Sequence, residues 1–565
     1  MPLTSGDTTV DGLVVHVDLG ADGERGSDRV RWSVSNPGAA DVALDAVRLV
    51  VDAGPAGSYP RMFCNGYQSW SETSTRFLGI DEDPSRHPRT FRFFRTIHHA
   101  DAGRAPAREL RSEMVTAIAS GTPTTTRVVG FVGGSTHEGT MRASLADDRV
   151  ELVCEAWLGG AVLRAGTTRA LHDVVALSDD DDVLVLLDRW AHLVRDHERA
   201  RVDAPYQVGW CSWYHYFHDI SETALRSNLA RSDDWPFAVF QLDDGFQPAI
   251  GDWLDTNDKF ASDLPTIADA IRTAGRTPGL WIAPFLAAPD SEIARTRPEL
   301  FAREVERDEP LTAMVHDVWG GAMWGLDTTD PAALAHLESV AATLREMGYP
   351  YLKLDFTFSP TFDGRYSDPT RTPAERVRAG YEAIRRGAGD DAFILACGCP
   401  LGSVVGVVDA MRIGPDVSPS WEVAAHDVAW PGYERVAPST RAAWNSTLLR
   451  AFLHRRLWLN DPDCLMLRHA ETAMTTDQIE AWSAAVALSG GLALVSDDLA
   501  LLDHDDHARL DDVITIGKAA DAAAQHGLPP RCEDQLQPGG PRVLSAAGRR
   551  LTADPADPHP VIEKF

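Results

Sequence analysis

Eight short apolar runs, separated by stretches with helical character, constrain the fold of this chain more than any other feature of its sequence. Polar or turn-forming residues bound each run, and the stretches between the runs are rich in Ala and Arg. The runs cover residues 206–213, 237–244, 277–285, 349–356, 392–398, 408–414, 455–461 and 490–498. Buried strands that alternate with helices form a parallel sheet, and eight of them within about 300 residues predict a closed (β/α)₈ barrel of the TIM type.

The two flanks of the barrel pattern indicate β-structure. Short alternating runs between Gly, Pro, Asn and Asp are typical of antiparallel strands, and on the N-terminal side they occupy residues 13–17, 42–51, 127–132 and 161–164. An acidic run at 179–182 precedes a stretch with helical spacing, which ends this first region. On the C-terminal side, residues 513–516 and 542–545 read as strands. We therefore predict an N-terminal β domain at 1–190, the barrel at 191–503 and a small C-terminal β domain at 504–565.

Charge and cysteine content narrow the class of partner and the compartment. The chain has 83 acidic and 53 basic residues, a formal net charge of −30, which disfavours nucleic acid and anionic membranes as partners. The sequence contains no run of eighteen apolar residues, and MPLTSGDTTV lacks the features of a signal peptide. Seven cysteines without a framework spacing suit a reducing compartment. These observations predict a cytoplasmic protein with a neutral partner.

Candidate catalytic groups follow the fourth and sixth runs. Lys353 and Asp355 lie two apart in a strand and so point to one side, where the cation is expected to keep the carboxylate ionised as a nucleophile requires. Asp416 follows a Gly-Pro turn just beyond the sixth run. Taken alone, the first pair could equally be a structural ion pair, and an Asp after Gly-Pro is common in turns. Two carboxylates on different strand ends of one barrel are nevertheless the groups that glycoside hydrolysis uses.

Aromatic residues near the ends of the runs point to a sugar ligand. The chain has 16 Trp residues, and sugar rings pack their C–H faces on aromatic rings while their hydroxyl groups bind charged partners. For any single Trp, packing in the core is the more common role. As a set they indicate a carbohydrate site, and Trp213 is included among the predicted substrate-binding residues. The set at predicted strand ends and loops comprises Trp210, Trp213, Trp253, Trp281, Trp319, Trp324 and Trp421.

Seven motifs in order resemble those of the glycoside hydrolase family 36 α-galactosidases, particularly the shorter bacterial and archaeal members. The resemblance extends over essentially the whole chain. It implies a β-supersandwich domain, a catalytic barrel and a C-terminal β domain. The nucleophile motif departs from the KWDMN form of the longer members. The motifs are GYQSW (66–70), GWCSWYHYF (209–217), QLDDGFQ (241–247), GLWIAPF (279–285), YLKLDF (351–356), CGCPLG (397–402) and MRIGPDVSPSW (411–421).

The resemblance assigns roles to individual residues. It implies that Asp355 is the nucleophile, that Asp416 is the general acid and base, and that Asp243 with Asp244 clamps the galactose 4- and 6-hydroxyls. The remaining positions that match the family's sugar contacts or pocket wall are Lys353, Arg412, Trp281, Cys397 and Trp70. The predicted activity is retaining hydrolysis of terminal α-D-galactosides of the melibiose or raffinose type, without a cofactor.

Other interpretations are weaker but stay open. His215, His218 and Asp219 could suggest a metal site, and Cys397 with Cys399 could suggest redox or zinc chemistry, but neither set has the ligand spacing to complete a coordination sphere. No phosphate-binding glycine motif occurs. The alternatives for function are an α-N-acetylgalactosaminidase, an α-glucosidase, a galactosyl-transferring relative or a non-catalytic sugar-binding protein. The sequence leaves the aglycone and the oligomeric state open.

Overall fold

Eight parallel strands form the predicted barrel. They belong to a computed structural model that describes residues 5–21, 27–81, 108–122, 124–178, 182–424, 435–540 and 542–564. Each strand lies inside one of the eight apolar runs. In chain order the strands are Val208–Cys211, Val239–Leu242, Thr277–Ile282, Tyr351–Leu354, Phe393–Ala396, Ala410–Arg412, Leu459–Asp461 and Ala493–Val495.

Strand pairing makes the ring nearly closed. The first seven barrel strands pair in parallel in chain order, and the eighth strand pairs with the first, Val208 lying opposite Ala493. Between the seventh and eighth strands no regular ladder forms among the described residues, but Leu492 donates its N–H to the carbonyl oxygen of Asn460 at 2.9 Å. The carboxyl ends of all eight strands therefore open at one end of the barrel.

Helices cover the outside of the barrel, and local sequence signals explain where they begin. In Pro373–Ala388, for example, Thr372 and Glu375 form a reciprocal capping box and a proline occupies the first turn. Between the fifth and sixth strands the described chain contains only a short 3₁₀ turn at Gly402–Val404. The α-helices are Val183–Glu198, Trp213–Tyr216, Glu222–Arg231, Leu264–Thr273, Glu292–Thr296, Pro331–Glu346, Pro373–Ala388, Thr440–Leu449, Thr476–Ser489 and His504–Gln525.

A small antiparallel sheet is inserted between the third and fourth barrel strands. It consists of Leu286–Ala287, Thr312–His316 and Gly321–Gly325. The turn between the last two strands contains Trp319, which contacts Asp244 beyond the second barrel strand. The insertion therefore brings an aromatic side chain to the open end of the barrel.

The N-terminal region is formed by two antiparallel sheets. Alternation along the strands separates core from surface: Val30, Trp32 and Val34 are buried, whereas the residues between them are not. The larger sheet contains Gly6–Val10, Leu13–Ala21, Ser27–Ser35, Val174–Leu177, Thr125–Phe131, Val115–Ser120, Arg61–Cys64, Ser74–Phe77 and Thr168–Ala170. The smaller sheet contains Val42–Pro55, Arg149–Leu163, Glu138–Ala146 and Leu110–Glu113. Most of the predicted acidic run at 179–182 lies outside the described residues.

The C-terminal region corrects one part of the prediction. Residues 513–516 are not a strand but lie inside the helix His504–Gln525. Leu510, Val513, Ile514 and Gly517 are buried at helical spacing, so a short apolar piece of a helix was mistaken for a strand. The segment predicted as a β domain at 504–565 thus begins with this helix. Its four-stranded antiparallel sheet follows, formed by Arg531–Cys532, Arg542–Ala546, Arg549–Asp554 and Asp557–Lys564.

The helices give no sign of a membrane-spanning segment. Within the described part of the chain, none combines the length and the apolar character that a bilayer crossing needs.

Candidate active site

The carboxyl end of the barrel collects most of the predicted site residues. Asp243 and Asp244 follow the second strand, Asp355 follows the fourth, Cys397 follows the fifth, and Asp416 lies beyond the sixth. Trp281, Lys353 and Arg412 lie in the ends of the third, fourth and sixth strands. All except Asp416 are buried. This end of the barrel is where enzymes of this fold carry their active sites.

Asp355 is held by two donors. The indole Nε1 of Trp281 donates to its Oδ2 at 3.1 Å, and the N–H of Phe356 donates to its Oδ1 at 2.8 Å. Burial raises the pKa of Asp355, against the opposing effects of the Lys353 charge and the Trp281 hydrogen bond. The charge of Lys353 lowers the pKa of Asp355 in the expected direction, but burial has the larger effect and leaves this pKa above its ordinary value.

Lys353 forms its ion pair with a different carboxylate from the one expected. Its Nζ lies 3.0 Å from Oδ2 of Asp243, which also accepts a hydrogen bond from Gln241 at 2.6 Å. The Asp243 charge is the leading cause that raises the pKa of Lys353, against burial. Lys353 thus stays a cation inside the site and acts on Asp355 through its charge.

Asp244 has its own set of donors. Gln247 donates to Oδ1 at 2.6 Å, Trp319 donates to Oδ2 at 2.9 Å, and His218 Nδ1 lies 3.3 Å from the same oxygen. Burial, with a contribution from the charge of Asp243, raises the pKa of Asp244 to about 6. Each carboxylate oxygen has two lone pairs, so both Asp side chains can still accept hydrogen bonds from a ligand.

Asp416 depends on Arg412 for its position. Arg412 Nη1 donates to Oδ1 of Asp416 at 3.0 Å, and the side chain of Asp416 is 32% exposed. Burial raises the pKa of Asp416, the charge of Arg412 lowers it, and the negative charge of Asp355 raises it further. The raised pKa of Asp416 agrees with the expectation for a general acid. Because the charge of Asp355 contributes to it, the two carboxyl groups are close enough to interact electrostatically.

The N-terminal region contributes Trp70 to the wall of the same site. Its ring meets the ring of Phe356 edge-on at 5.0 Å between centroids, directly beside Asp355. Gly398 has a φ of +51°, and a Cβ atom there would lie 2.7 Å from the Trp70 ring, so only glycine allows this approach. Cys397 is fully buried next to this glycine.

Arg450 fixes the segment that carries Trp70. The guanidinium is fully buried and donates to the Asn65 side chain at 3.0 Å and to the carbonyl oxygens of Ser69 at 3.1 Å and Ile413 at 3.0 Å. Further bonds reach the carbonyl oxygens of Gly66 and Gln68. Burial without a carboxylate partner lowers the pKa of Arg450 to about 9.

The predicted residue Trp213 lies at the edge of the site. It is partly buried, and its ring packs edge-on against His218 at 4.9 Å between centroids. His218 in turn approaches Asp244, so Trp213 is one residue removed from the carboxylate pair.

The possible metal ligands of the sequence are not clustered. His218 faces Asp244, whereas His215 Nε2 lies 4.0 Å from Glu471. Among the described residues, His172, His197 and Glu198 are close enough to share an ion. One Glu198 oxygen already accepts hydrogen bonds from Gly134 and Ser135, and Thr136 donates to His172.

Sequence reasoning missed several residues of this site. Trp319 was noted only as one of many Trp residues, and no local pattern places its turn over Asp244. The sequence also gives no indication that Asp463 contacts Arg412 or that the Tyr214 hydroxyl donates to Asp463. A usable signal existed for Asp463, because it follows Asp461 by two residues at the end of the seventh strand.

Known proteins with a similar sequence or fold are α-galactosidases or belong to the Melibiase family. A family model described as Melibiase matches residues 174–362. The fold matches the α-galactosidase of Thermus thermophilus, solved with p-nitrophenyl α-D-galactopyranoside, at 22% identity and a TM-score of 0.71, covering 97% of this chain and 98% of that chain. It also matches the family 36 α-galactosidase AgaA of Geobacillus stearothermophilus at 13% identity and a TM-score of 0.63, covering 96% and 72%. At these identities the structural matches establish the fold.

The barrel, the two carboxyl groups at its open end and the family match define a glycoside hydrolase. The match to the Melibiase model over residues 174–362 and the shared fold agree with the predicted resemblance to the family 36 α-galactosidases.

Replacing Arg450 should damage both stability and substrate binding. Arg450→Met leaves several buried oxygens unpaired, so we expect the free energy of unfolding to fall by roughly 3 kcal/mol or more. Because Trp70 loses its support, KM should also rise. Denaturant unfolding and initial-rate kinetics measure the two effects.

Arg385→Met is the matched control for Arg450→Met. Arg385 is also buried and donates to the carbonyl oxygens of Ala392 and Val407 and to Asp409, at the opposite end of the barrel. This variant should lose stability without a change in KM. An equal change in KM for both variants would contradict the role given to Arg450.

Proposed function

We propose that this protein is a retaining α-galactosidase that hydrolyses terminal, non-reducing α-D-galactosides by double displacement. The observation that carries the proposal is the pair of carboxyl groups Asp355 and Asp416, which come from different strand ends and interact electrostatically. Carboxyl groups with perturbed pKa values at the active-site end of a barrel are typical of an acid/base pair. The Thermus relative solved with an α-galactoside, and again with stachyose, supports the choice of sugar.

The first half of the reaction forms a covalent intermediate. The Asp355 carboxylate attacks the anomeric carbon while Asp416 gives its proton to the glycosidic oxygen, and the aglycone leaves as a neutral alcohol. The hydrogen bonds from Trp281 and Phe356 fix the orientation of Asp355 for this attack. The product of this step is a β-linked galactosyl ester of Asp355.

The second half releases the sugar with its original configuration. Asp416, now ionised, takes a proton from water, and the water oxygen attacks the anomeric carbon as the ester bond to Asp355 breaks. The acid form of Asp416 is thereby restored, and the product is α-galactose. Arg412 contacts Asp416 in the resting site and stabilises its ionised form between the two halves.

The polar groups around Asp243 and Asp244 support a preference for galactose. Their carboxylates lie beside the cation of Lys353 and the indole N–H of Trp319, which suits a ring hydroxyl that both donates and accepts. This arrangement favours α-galactosides over α-glucosides, which differ from them in the configuration of the 4-hydroxyl.

Two further properties are part of the proposal. The proposed substrate is a neutral oligosaccharide of the melibiose or raffinose type, which is compatible with a protein of net charge −30. The location is cytoplasmic, since all seven cysteines are buried and free.

Removing the nucleophile should create an enzyme that a small anion can rescue. We expect Asp355→Gly to lose hydrolysis of p-nitrophenyl α-galactoside, and azide to restore turnover with β-galactosyl azide as the product. The assay is product analysis with and without azide. More than a few per cent of the original rate without azide would show that Asp355 is not the nucleophile.

The sugar preference can be measured directly. A buried carboxylate left without its hydroxyl partner costs about 1–3 kcal/mol, so kcat/KM for p-nitrophenyl α-glucoside should be at least about tenfold below that for the α-galactoside. The α-N-acetylgalactosaminide serves as the comparison for the 2-position. Equal kcat/KM values for the gluco and galacto substrates would exclude the proposed clamp.

The stereochemical course tests the double displacement independently of the substrate. Proton NMR of the earliest product, before mutarotation, should show α-galactose. Retention also predicts a separation of roughly 5–5.5 Å between the reacting carboxyl groups in the substrate complex, compared with roughly 6.5–9.5 Å for inversion. A β-anomer that appears first would exclude a covalent intermediate on Asp355.

A further inference from the structure

Arg412 has more acidic partners than contact with Asp416 requires. Its Nη1 reaches Asp416 at 3.0 Å, its Nε reaches Asp461 at 3.0 Å, and its Nη2 reaches Asp463 at 2.8 Å. Arg412, Asp461 and Asp463 are almost completely buried. Burying three charged side chains costs desolvation free energy, so we expect their arrangement to have a role other than stabilising the fold.

Asp463 makes a second connection to the acid/base segment. Its Oδ2 accepts the N–H of Val417, the residue after Asp416, at 3.0 Å and also accepts the hydroxyl of Tyr214. Its Oδ1 accepts the N–H of Cys464 at 2.7 Å. The carboxylate therefore holds both the backbone beside Asp416 and the guanidinium that contacts the Asp416 side chain.

The backbone at Asp463 is strained. Its φ is +88°, in the left-handed region that few residues other than glycine adopt. The N–H of Asp463 donates to Oδ1 of Asp461 at 3.0 Å, which helps to hold this conformation. Strain in a fully buried residue beside a reactive group is typical of functional sites.

We propose that Asp463 is a positioning residue for the general acid: it orients Asp416 through Val417 and Arg412 and partly neutralises Arg412, so that Asp416 keeps its proton until substrate binds. The proposal rests on the function given to Asp416 above. Asp463 itself does not touch the reacting atoms.

The charges around Asp416 explain why Arg412 needs neutralisation. An unshared guanidinium 3.0 Å from Asp416 would favour its ionised form and remove the proton that the leaving group requires. Burial raises the pKa of Asp463 to about 6, with Arg412 opposing and Asp416 adding to the rise, so the two carboxyl groups repel each other. The titratable or charged groups around Asp416 and its Arg412 partner are Arg412, Asp355, Lys353, Asp243, Asp461, Asp463, Tyr214 and Cys397.

Asp463→Asn removes the charge and keeps the shape of the side chain. Asn also tolerates a positive φ, so the backbone can stay as it is. With one negative charge fewer, Arg412 stabilises ionised Asp416 more strongly, and the pKa of Asp416 falls. The alkaline limb of kcat/KM should therefore move to lower pH, by about one unit for a change of about 1.4 kcal/mol.

Leaving-group dependence separates positioning from a structural role. Natural α-galactosides need protonation of the departing oxygen, whereas a 2,4-dinitrophenyl galactoside does not. For Asp463→Asn we expect kcat on melibiose to fall about 10- to 100-fold, with at most about a threefold fall on the dinitrophenyl substrate. An equal fall on both substrates with an unmoved alkaline limb would overturn the proposal.

Two other variants keep the test decisive. Asp497→Asn is the matched control, because Asp497 is a buried carboxylate paired with Arg468 at 2.5 Å and bonded to the N–H of Leu467 at 2.6 Å. It should lose stability without changing the leaving-group dependence. If Asp463→Asn does not fold, Tyr214→Phe, which removes one donor to Asp463, is used instead. Its kcat should fall more on melibiose than on the dinitrophenyl substrate, by a smaller ratio than expected for Asp463→Asn. An equal fall on both substrates would overturn the proposal.

Asp416→Asn, measured in parallel, distinguishes this inference from the proposed function. It should show a larger leaving-group dependence than Asp463→Asn. If Asp416→Asn shows none, the role of Asp416 as general acid is wrong. If Asp416→Asn shows a leaving-group dependence and Asp463→Asn does not, Asp416 remains the general acid and only the positioning role of Asp463 is wrong.

Discussion

The site depends on two buried cations that hold a group of carboxyl groups together. Lys353 pairs with Asp243, and Arg412 joins Asp416, Asp461 and Asp463. Without these cations, several carboxylates from different strand ends would repel one another in a region of low dielectric, and they would take up protons. With them, the carboxyl groups differ in their surroundings: Asp355 is held by neutral donors, and Asp416 is held by a cation that it shares with two other carboxyl groups. The barrel supplies the strand ends, and the ion pairs determine what chemistry those ends can perform.

The sequence predicted the barrel well because buried parallel strands leave an apolar run that does not depend on distant contacts. All eight runs became strands. The same reasoning failed at residues 513–516, where a four-residue window cannot separate a strand from one face of the helix His504–Gln525. The partner of Lys353 could not be predicted either. A spacing of two places Lys353 and Asp355 on one side of a strand, but the ion pair with Asp243 depends on the neighbouring strands. Trp319 reaches Asp244 from an inserted sheet, so only the folded chain shows that contact.

The barrel alone does not complete the site. Trp70 comes from the N-terminal region and packs against Phe356 and Gly398, while Arg450 binds the backbone on both sides of that interface. The contact between the two regions is therefore made by the Trp70 ring against Gly398, which leaves room for it. Arg450 supports this contact through hydrogen bonds to neutral oxygen atoms. Changes in either region are expected to affect Asp355 through one or two contacts.

The position of Trp70 also has a consequence for the order in which the molecule matures during synthesis. The ribosome releases Trp70 long before the glycine and the arginine that fix it, and the strand with Asp461 follows later still. A growing chain can form its first β-sheets before the barrel residues that contact Trp70 have been synthesised. The pocket wall formed by Trp70 is therefore complete only after the barrel strands and the arginine that contact its segment have been synthesised.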